Sequence, residues 1–306
     1  MSYFLFILGL VLLLCGGELL VQSGIALAHK LHLSPLIIGI VLMGVGTSMP
    51  ELAASLNAML SSHPAPGIAF GNVIGSNISN ILFILGLAAL IHPIHINKEN
   101  FRRDGLFILL SVIMLGIIMK SGYLDSIIGI FMLLMISGYF IICYNKEQDL
   151  ESSKNNHIKL NKPTWSLVLL SIFGIILIIY GADLLIDTAS KIADAFGISK
   201  SVVGLTLIAF GTSLPEVTVS TVAAIHKQSS IAFGNIVGSN IANIFLIVGA
   251  MGVARNTAIP NLWHSFWIMA TATLCLLICG IYGKISRWMG VLFLAAYAAY
   301  ICFLFK

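Results

Sequence analysis

Charged residues are scarce in this sequence. They make up 9% of its 306 residues, whereas a soluble domain carries about 25%. Hydrophobic residues account for 58% of the chain, and the mean hydropathy is +1.02. Because so few charges cannot cover a water-exposed surface, the composition excludes a soluble protein and predicts an integral membrane protein.

A strong positive charge is also missing. Sixteen Lys and Arg residues face twelve Asp and Glu residues, which gives a formal charge of +4. The basic residues lie in short segments between apolar runs, so we expect no nucleic-acid partner and a lipid bilayer as the main surroundings.

Cysteine ligand sets are missing as well, and we expect no cleavable leader. The five cysteines lie in or at the ends of apolar runs without a neighbouring histidine or acid, so we expect apolar packing rather than metal binding or disulfides. No basic segment precedes the first apolar run, which is longer than a signal-peptide core and contains Glu18. We therefore expect a retained first span.

What the sequence does contain is apolar runs of about 20 residues, the length of helix that crosses a bilayer. They predict an all-α protein with ten transmembrane helices, at about 2–27, 35–60, 67–91, 105–120, 124–144, 165–192, 200–225, 231–254, 262–282 and 287–305. A polar stretch divides them into two sets of five. The predicted organisation is a five-helix repeat at 1–144, a cytoplasmic linker at 145–164 and a second five-helix repeat at 165–306.

The two halves repeat each other. The run 33–55, LSPLIIGIVLMGVGTSMPELAAS, aligns without gaps with 198–220, ISKSVVGLTLIAFGTSLPEVTVS. The run 68–86 aligns with 231–249, with 13 of 19 positions identical. Because five is odd, the second half must begin on the opposite side of the membrane. We therefore predict inverted repeats, which place a shared site near the bilayer midplane.

Lysine and arginine predict the orientation of the chain. The segments after spans 1, 3, 5, 7 and 9 carry eleven of these residues, and the opposite side carries five. We therefore expect the first set of segments in the cytoplasm and both termini outside, in the cytoplasmic (inner) membrane of a bacterium or archaeon.

Each half places a glutamate in the middle of a membrane span, in the phrases GTSMPE (46–51) and GTSLPE (211–216). An ionisable residue at membrane depth is costly and indicates a functional site. The proline of each phrase lacks a backbone donor and crowds the carbonyl four residues earlier. The predicted helix breaks are at Pro50, Pro215, Gly46 and Gly211. Such irregular backbone is tolerated only where it is buried in protein or lines a cavity.

The carbonyl, hydroxyl and carboxylate groups at these breaks offer only oxygen atoms as ligands, which suits hard cations such as Na⁺ and Ca²⁺. Spans 3 and 8 add GSNISN (75–80) and GSNIAN (238–243), whose serine and last asparagine share a helix face. The candidate ligands are Glu51, Glu216, Thr47, Ser48, Thr212, Ser213, Ser76, Asn80, Ser239 and Asn243. Two carboxylates balance one Ca²⁺ or two Na⁺, so the two kinds of ion compete, as exchange requires.

Two acids outside these phrases have no single interpretation. Glu18 and Asp183, at corresponding positions of spans 1 and 6, could line an ion path or cap a neighbouring broken helix. A hydrolase using Ser48 or Ser213 would need a base within hydrogen-bond reach. No histidine lies in the four spans that carry the motifs, so we expect no enzyme.

These motifs resemble the calcium/cation antiporter superfamily, and within it the prokaryotic sodium/calcium exchangers. Both family repeats occur in order, as GTSMPE with GNVIGSNISN (71–80) and GTSLPE with GNIVGSNIAN (234–243). The resemblance spans essentially the whole chain. It implies an electrogenic antiporter that exchanges several Na⁺ for one Ca²⁺, with no cofactor, by alternating access in which spans 1 and 6 slide across the core.

The resemblance also implies roles for single residues. Glu51 and Glu216 would be the shared carboxylates of four ion sites built from spans 2, 3, 7 and 8, with Ser76 and Ser239 at flanking Na⁺ sites. The ligand set also includes Gly44 and Ala209. Asn243 stands where some relatives carry aspartate, which favours a potassium-independent exchanger. The alternative function is a Ca²⁺/H⁺ antiporter. An oligomer is not required for the site.

Overall fold

The computed structural model describes residues 2–151, 163–195 and 211–304. In these ranges the regular elements are helices and four two-residue strands, joined by short turns and loops. The helices are α1 Ser2–Leu31, α2 Pro35–Leu60, α3 Pro66–Ile91, α4 Lys98–Ser121, α5 Ser126–Glu151, α6 Thr164–Ala195, α7 Leu214–Ile225, α8 Ser229–Ala254, α9 Trp263–Tyr282 and α10 Arg287–Leu304. Except for α7, of which twelve residues are described, each of them is long and apolar enough to cross a membrane.

The all-α membrane architecture agrees with the sequence expectation. The beginning of predicted span 7 (200–210), which includes Ala209, lies outside the described residues, as does most of the predicted linker at 145–164.

The start of α4 corrects one predicted boundary. The apolar run begins at residue 105, yet the helix begins at Lys98 because the Asn97 side chain accepts hydrogen bonds from the Glu99 and Asn100 backbone N–H groups. A cap of this kind stabilises a polar first turn that hydropathy does not detect. Arg102 and Arg103, assigned from sequence to a connecting segment, therefore lie within the helix.

Helices α1 and α6 cross with their backbones in contact. A Cβ atom added to Gly16 would lie 2.9 Å from the Gly174 carbonyl oxygen, and one added to Gly9 would lie 3.0 Å from that of Gly181. Small residues permit such close approach between membrane helices. Since the residue numbers rise along one helix as they fall along the other, α1 and α6 run antiparallel.

Short strand pairs gather the connecting segments at two ends of the bundle. Strand β1 (Ile94–His95), after α3, pairs with β4 (Lys284–Ile285), after α9. Strand β2 (Tyr123–Leu124), after α4, pairs with β3 (Thr257–Ala258), after α8. Segments that follow odd-numbered helices thus meet at one end and those that follow even-numbered helices at the other, as consecutive spans require.

The helices that carry the repeated motifs lie at the centre. In the apolar stretch of α8, 83% of the residues are buried, compared with 72% in that of α3 and 17% in that of α10. Helix α8 packs directly on α2, where a Cβ atom added to Gly44 would lie 2.9 Å from the Gly238 Cα atom. The outer helices therefore enclose a core in which polar motif residues are shielded from lipid.

The α1–α6 crossing predicts that Gly16→Ala destabilises the protein. The added methyl group would lie 2.9 Å from backbone atoms of Gly174 and Ile178, and overpacking of this kind costs about 1–3 kcal/mol. We expect a lower thermal unfolding temperature in detergent. Gly138→Ala is the matched control, because nothing lies within 4 Å of a Cβ atom at this position. Equal unfolding temperatures for the two variants would contradict the crossing.

Candidate functional site

Helix α2 is interrupted at the repeated phrase. It is π-helical over Ile38–Gly44 and α-helical over Val45–Thr47, leaves helical geometry at Ser48 (φ −83°, ψ 6°), and resumes at Met49. Pro50 lies in the first turn of the new segment, where its missing N–H is not needed. The interruption therefore lies two residues before the proline.

The second phrase has the same local geometry. Thr212 and Ser213 form a turn, with Ser213 at φ −86° and ψ 0°, and α7 begins at Leu214 with Pro215 in its first turn. Both helical segments thus begin immediately after a serine, and each presents a glutamate in its first turn.

Glu51 and Glu216 are these two glutamates, and each is 1% exposed. Among the residues that the structure describes, neither carboxylate oxygen of Glu51 has a hydrogen-bond partner. Glu216 Oε1 accepts a hydrogen bond of 3.1 Å from Ser48 Oγ, and Glu216 Oε2 has no partner. Since Ser48 and Glu216 belong to different halves, this bond brings the two repeated phrases together.

Burying a charged group without a partner costs several kcal/mol or more. Glu51 and Glu216 lie in the first turns of their helical segments. This position offsets part of that cost, because negative charge is favoured at a helix N-terminus. The remainder requires a cation or a proton. The two glutamates are therefore candidates for binding a cation or a proton.

The repeated motifs also contain buried neutral polar atoms that have no hydrogen-bond partner among the described residues. Such buried atoms are uncommon in native proteins and indicate a place for a ligand or water. The atoms are Ser79 Oγ, both polar side-chain atoms of Asn80, Ser213 Oγ, Asn240 Oδ1 and both polar side-chain atoms of Asn243. Asn80 and Asn243 lie in the π-helical segments Ser79–Ile84 and Asn243–Val248, a rare geometry that is frequent at functional sites.

Two hydroxyl groups are oriented by backbone carbonyls. Thr47 Oγ1 donates to the Met43 carbonyl at 2.9 Å, and Ser239 Oγ donates to the Gly44 carbonyl at 3.1 Å. The two hydroxyl oxygens are 3.5 Å apart. Because carbonyl oxygens accept the hydrogen of each hydroxyl, with Asn235 Oδ1 as a second acceptor for Thr47, lone pairs of both hydroxyl oxygens can face a cation.

The other predicted residues differ in their surroundings. Ser76 is buried on α3, one turn before Asn80, and Thr212 is partly buried beside Ser213. Within the described ranges no group of three or more His, Cys, Asp or Glu side chains could hold a metal ion together. The charge of the candidate site therefore comes from two carboxylates, which suits hard cations better than transition metals.

Glu18 and Asp183 lie outside this buried cluster. Glu18 borders a cleft of about 540 Å³ on α1, accepts a hydrogen bond from Gln22 Nε2 at 3.1 Å, and lies 2.7 Å from His226 Nε2 at the end of α7. Asp183 is exposed. The two acids thus have different environments despite their corresponding positions in the repeats.

Two asparagine side chains to which the sequence analysis gave no role each donate to one of the glutamates. Asn72 on α3 and Asn235 on α8 donate to the main-chain carbonyls of Glu51 and Glu216, respectively. Both follow a glycine in the repeated motifs GNVIGSNISN and GNIVGSNIAN. That repetition is the signal that could have identified them.

A buried ion pair within α4 lies away from the motifs and is linked to α5 by a tyrosine. Arg103 Nε donates to Asp104 Oδ1 at 2.6 Å, and Tyr139 O–H donates to the same oxygen at 3.0 Å. These residues hold two outer helices together and were not predicted from the sequence.

Comparison with known proteins agrees with this architecture. The family model described as sodium/calcium exchanger protein matches residues 1–145 and 166–306. An uncharacterized membrane protein of Methanocaldococcus jannaschii is 38% identical over 95% of this chain and 94% of its own length. The sodium/calcium exchanger MaX1 of Methanosarcina acetivorans is 33% identical over 99% and 98%, respectively.

Solved structures of the sodium-calcium exchanger NCX_Mj have the same fold. One of them, soaked with zero Na⁺ and Ca²⁺, superposes with a TM-score of 0.84 at 33% identity and covers 98% of both chains. Another, soaked with 10 mM Na⁺ and 10 mM Sr²⁺, has the same TM-score and identity.

Because the Glu51 carboxylate lacks a hydrogen-bond partner among the described residues, we expect Glu51→Gln to change the thermal unfolding temperature differently with and without bound ions. Without Na⁺ and Ca²⁺, removing a buried charge should leave the thermal unfolding temperature unchanged or raise it. With Ca²⁺, the variant should lose the stabilisation by ligand, which is about 2.7 kcal/mol at 100-fold excess over the dissociation constant. Thermal unfolding at increasing Ca²⁺ concentrations measures both.

Glu99→Gln is the control, because Glu99 is an exposed carboxylate in the first turn of α4. It should keep the full Ca²⁺ effect. Retention of that effect by Glu51→Gln would contradict a role for Glu51 in ion binding.

Proposed function

Because the chain belongs to the sodium/calcium exchanger protein family, whose members are transporters and not enzymes, we propose that it exchanges Na⁺ for Ca²⁺ at a site built on Glu51 and Glu216. The observation that carries this proposal is the burial of two carboxylates, one from each half. Three of their four oxygens have no hydrogen-bond partner within the described ranges. The ions are substrates, and the exchange uses no cofactor.

Charge balance supports the coupling of the two ions. The ionised glutamates carry two negative charges, which one Ca²⁺ or two Na⁺ neutralise. A third Na⁺ would leave one positive charge to be shared by neutral oxygens. Since both kinds of ion need the same carboxylates, binding of one requires release of the other.

The proposed ligand shell consists of oxygens on four helices, α2, α3, α7 and α8. The oriented hydroxyls of Thr47 and Ser239 and the unpartnered amides of Asn80 and Asn243 support it. Ser48 would exchange its bond to Glu216 for a bond to the ion, since its hydrogen now lies between the two oxygens. The remaining proposed ligands are Ser76, Thr212, Ser213, Gly44 and Ala209.

We also propose that 1–144 and 165–306 are inverted repeats, joined by a cytoplasmic linker at 145–164. The antiparallel crossing of α1 and α6 supports this, because Gly16-Gly17-Glu18 of α1 corresponds in sequence to Gly181-Ala182-Asp183 of α6. Corresponding helices run in opposite directions only if one half is inverted. Alternating access would then exchange the roles of the two halves, with α1 and α6 sliding along their glycine contacts.

The chain is a multi-pass membrane protein, and a relative 34% identical over 85% of this chain is the inner membrane protein YrbG of Escherichia coli. We propose a cytoplasmic membrane location with both termini outside, on the basis of the excess of Lys and Arg in the segments that follow odd-numbered spans.

Proton coupling is the second candidate function. The unpartnered oxygens of Glu51 and Glu216 could accept protons as well as Na⁺. A Ca²⁺/H⁺ antiporter would use the same pair of carboxylates, so the coupling ion has to be identified by transport.

Uptake of ⁴⁵Ca²⁺ into proteoliposomes tests the proposed function. Vesicles loaded with Na⁺ and diluted into Na⁺-free buffer should take up ⁴⁵Ca²⁺ several-fold faster than vesicles with equal Na⁺ on both sides, because outward Na⁺ flow drives Ca²⁺ inward. Glu216→Gln should abolish this difference. Uptake that follows an imposed pH gradient and ignores the Na⁺ gradient would contradict Na⁺ coupling and favour Ca²⁺/H⁺ exchange.

A further inference from the structure

Two asparagines make matching contacts in the two halves. Asn72 Nδ2 donates to the Glu51 carbonyl at 3.2 Å and to Ser55 Oγ at 3.0 Å. In the second half, corresponding bonds of 3.4 Å and 2.9 Å run from Asn235 Nδ2 to the Glu216 carbonyl and to Ser220 Oγ. Each amide nitrogen therefore donates both of its hydrogens to the helical segment that bears a glutamate.

These asparagines differ from the asparagines two turns further along the same helices. Both polar side-chain atoms of Asn80 on α3 and of Asn243 on α8 lack hydrogen-bond partners among the described residues, which fits a role in holding an ion. The amide nitrogens of Asn72 and Asn235 are already fully bonded to protein. The same residue type thus occurs in two distinct roles on one helix.

We propose that Asn72 and Asn235 are positioning residues, which fix the glutamate-bearing turns of α2 and α7 against the ligand-bearing helices α3 and α8. The inference rests on the proposed function, in which Glu51 and Glu216 hold the transported ions. Neither asparagine touches the ion. Each acts through the main chain of the glutamate and sets the distance between its carboxylate and the serine and asparagine oxygens.

The interrupted helices explain why such an anchor is needed. Ser48 leaves helical geometry, so the turn that bears Glu51 belongs to a new helical segment that begins at Met49. The orientation of the Glu51 turn is therefore weakly determined by the first part of α2. Two hydrogen bonds from Asn72 on the neighbouring helix supply the missing constraint.

Asn235 has a further contact that crosses between the halves. Its Oδ1 lies 3.3 Å from Thr47 Oγ1 and shares the hydroxyl hydrogen that Thr47 also directs to the Met43 carbonyl at 2.9 Å. One side chain thus joins the main chain of Glu216 to the hydroxyl of Thr47, which belongs to the first half. Asn235 is also fully buried, whereas Asn72 is partly buried. Loss of Asn235 should therefore have the larger effect.

Ca²⁺ binding to purified protein, measured by isothermal titration calorimetry, tests the proposal with Asn72→Ala and Asn235→Ala. Groups that orient metal ligands typically contribute about 10- to 100-fold to metal affinity, so both variants should bind Ca²⁺ at least about tenfold more weakly. The ⁴⁵Ca²⁺ concentration for half-maximal uptake should rise by a similar factor, with a smaller change in the maximal rate at saturating Ca²⁺.

Asn77→Ala is the matched control. Asn77 is a buried amide on the same helix as Asn72, but its Nδ2 donates to the Val73 carbonyl of its own helix at 2.7 Å. It should lower the ion-free unfolding temperature about as much as Asn72→Ala and keep a Ca²⁺ affinity close to that of the unchanged protein.

Ser55→Ala and Ser220→Ala are the milder second pair, since each leaves the bond between asparagine and glutamate carbonyl in place. They should weaken Ca²⁺ binding in the same direction by a smaller factor, even if an asparagine variant does not fold. Unchanged Ca²⁺ affinity in both serine variants, or affinities of Asn72→Ala and Asn235→Ala equal to that of Asn77→Ala, would overturn the positioning role. Absence of Ca²⁺ binding by the unchanged protein would overturn the proposed function together with this inference.

Discussion

The burial of two carboxylates at the centre of a membrane protein is the constraint on which the rest of the structure depends. Glu51 and Glu216 are each 1% exposed, and three of their four oxygens have no hydrogen-bond partner in the part of the chain that the structure describes. A charged group in that position is stable only beside a cation or after taking up a proton. Three features of the structure meet this requirement, because each places an oxygen or a helix N-terminus near a glutamate. They are the interrupted helices, the oriented hydroxyls and the asparagine side chains that bond to the glutamate main chains.

Neither half of the chain meets this need alone. The bond from Ser48 to Glu216 and the contact of Thr47 with Asn235 both join the first half to the second. Glycines make these contacts geometrically feasible, since α2 and α8 touch where Gly44 meets Gly238. The same device joins α1 to α6. Close backbone packing thus brings the polar groups of the centre within bonding distance.

Much of this architecture could be predicted from local patterns in the sequence. Apolar runs identify spans by length, and GTSMPE with its repeat identifies the helix interruptions, since each signal is contained in a few neighbouring residues. Features that depend on tertiary contacts could not be predicted. The pairing of Asn72 with Glu51 requires the register between α2 and α3, and the pairing of Glu18 with His226 joins residues 208 positions apart. The start of α4 depends on the side chain of Asn97 rather than on hydropathy.

The claim that Glu51 and Glu216 share one divalent cation can be tested most directly by anomalous diffraction from crystals soaked with Sr²⁺ in the absence of Na⁺. The account predicts one strong anomalous peak between the two carboxylates, within about 2.3–2.6 Å of oxygens from both, the range typical of calcium-like ligation. The peak should disappear when Na⁺ replaces Sr²⁺. Two separate peaks, each beside one glutamate, or a peak at a site that contacts neither carboxylate, would contradict it.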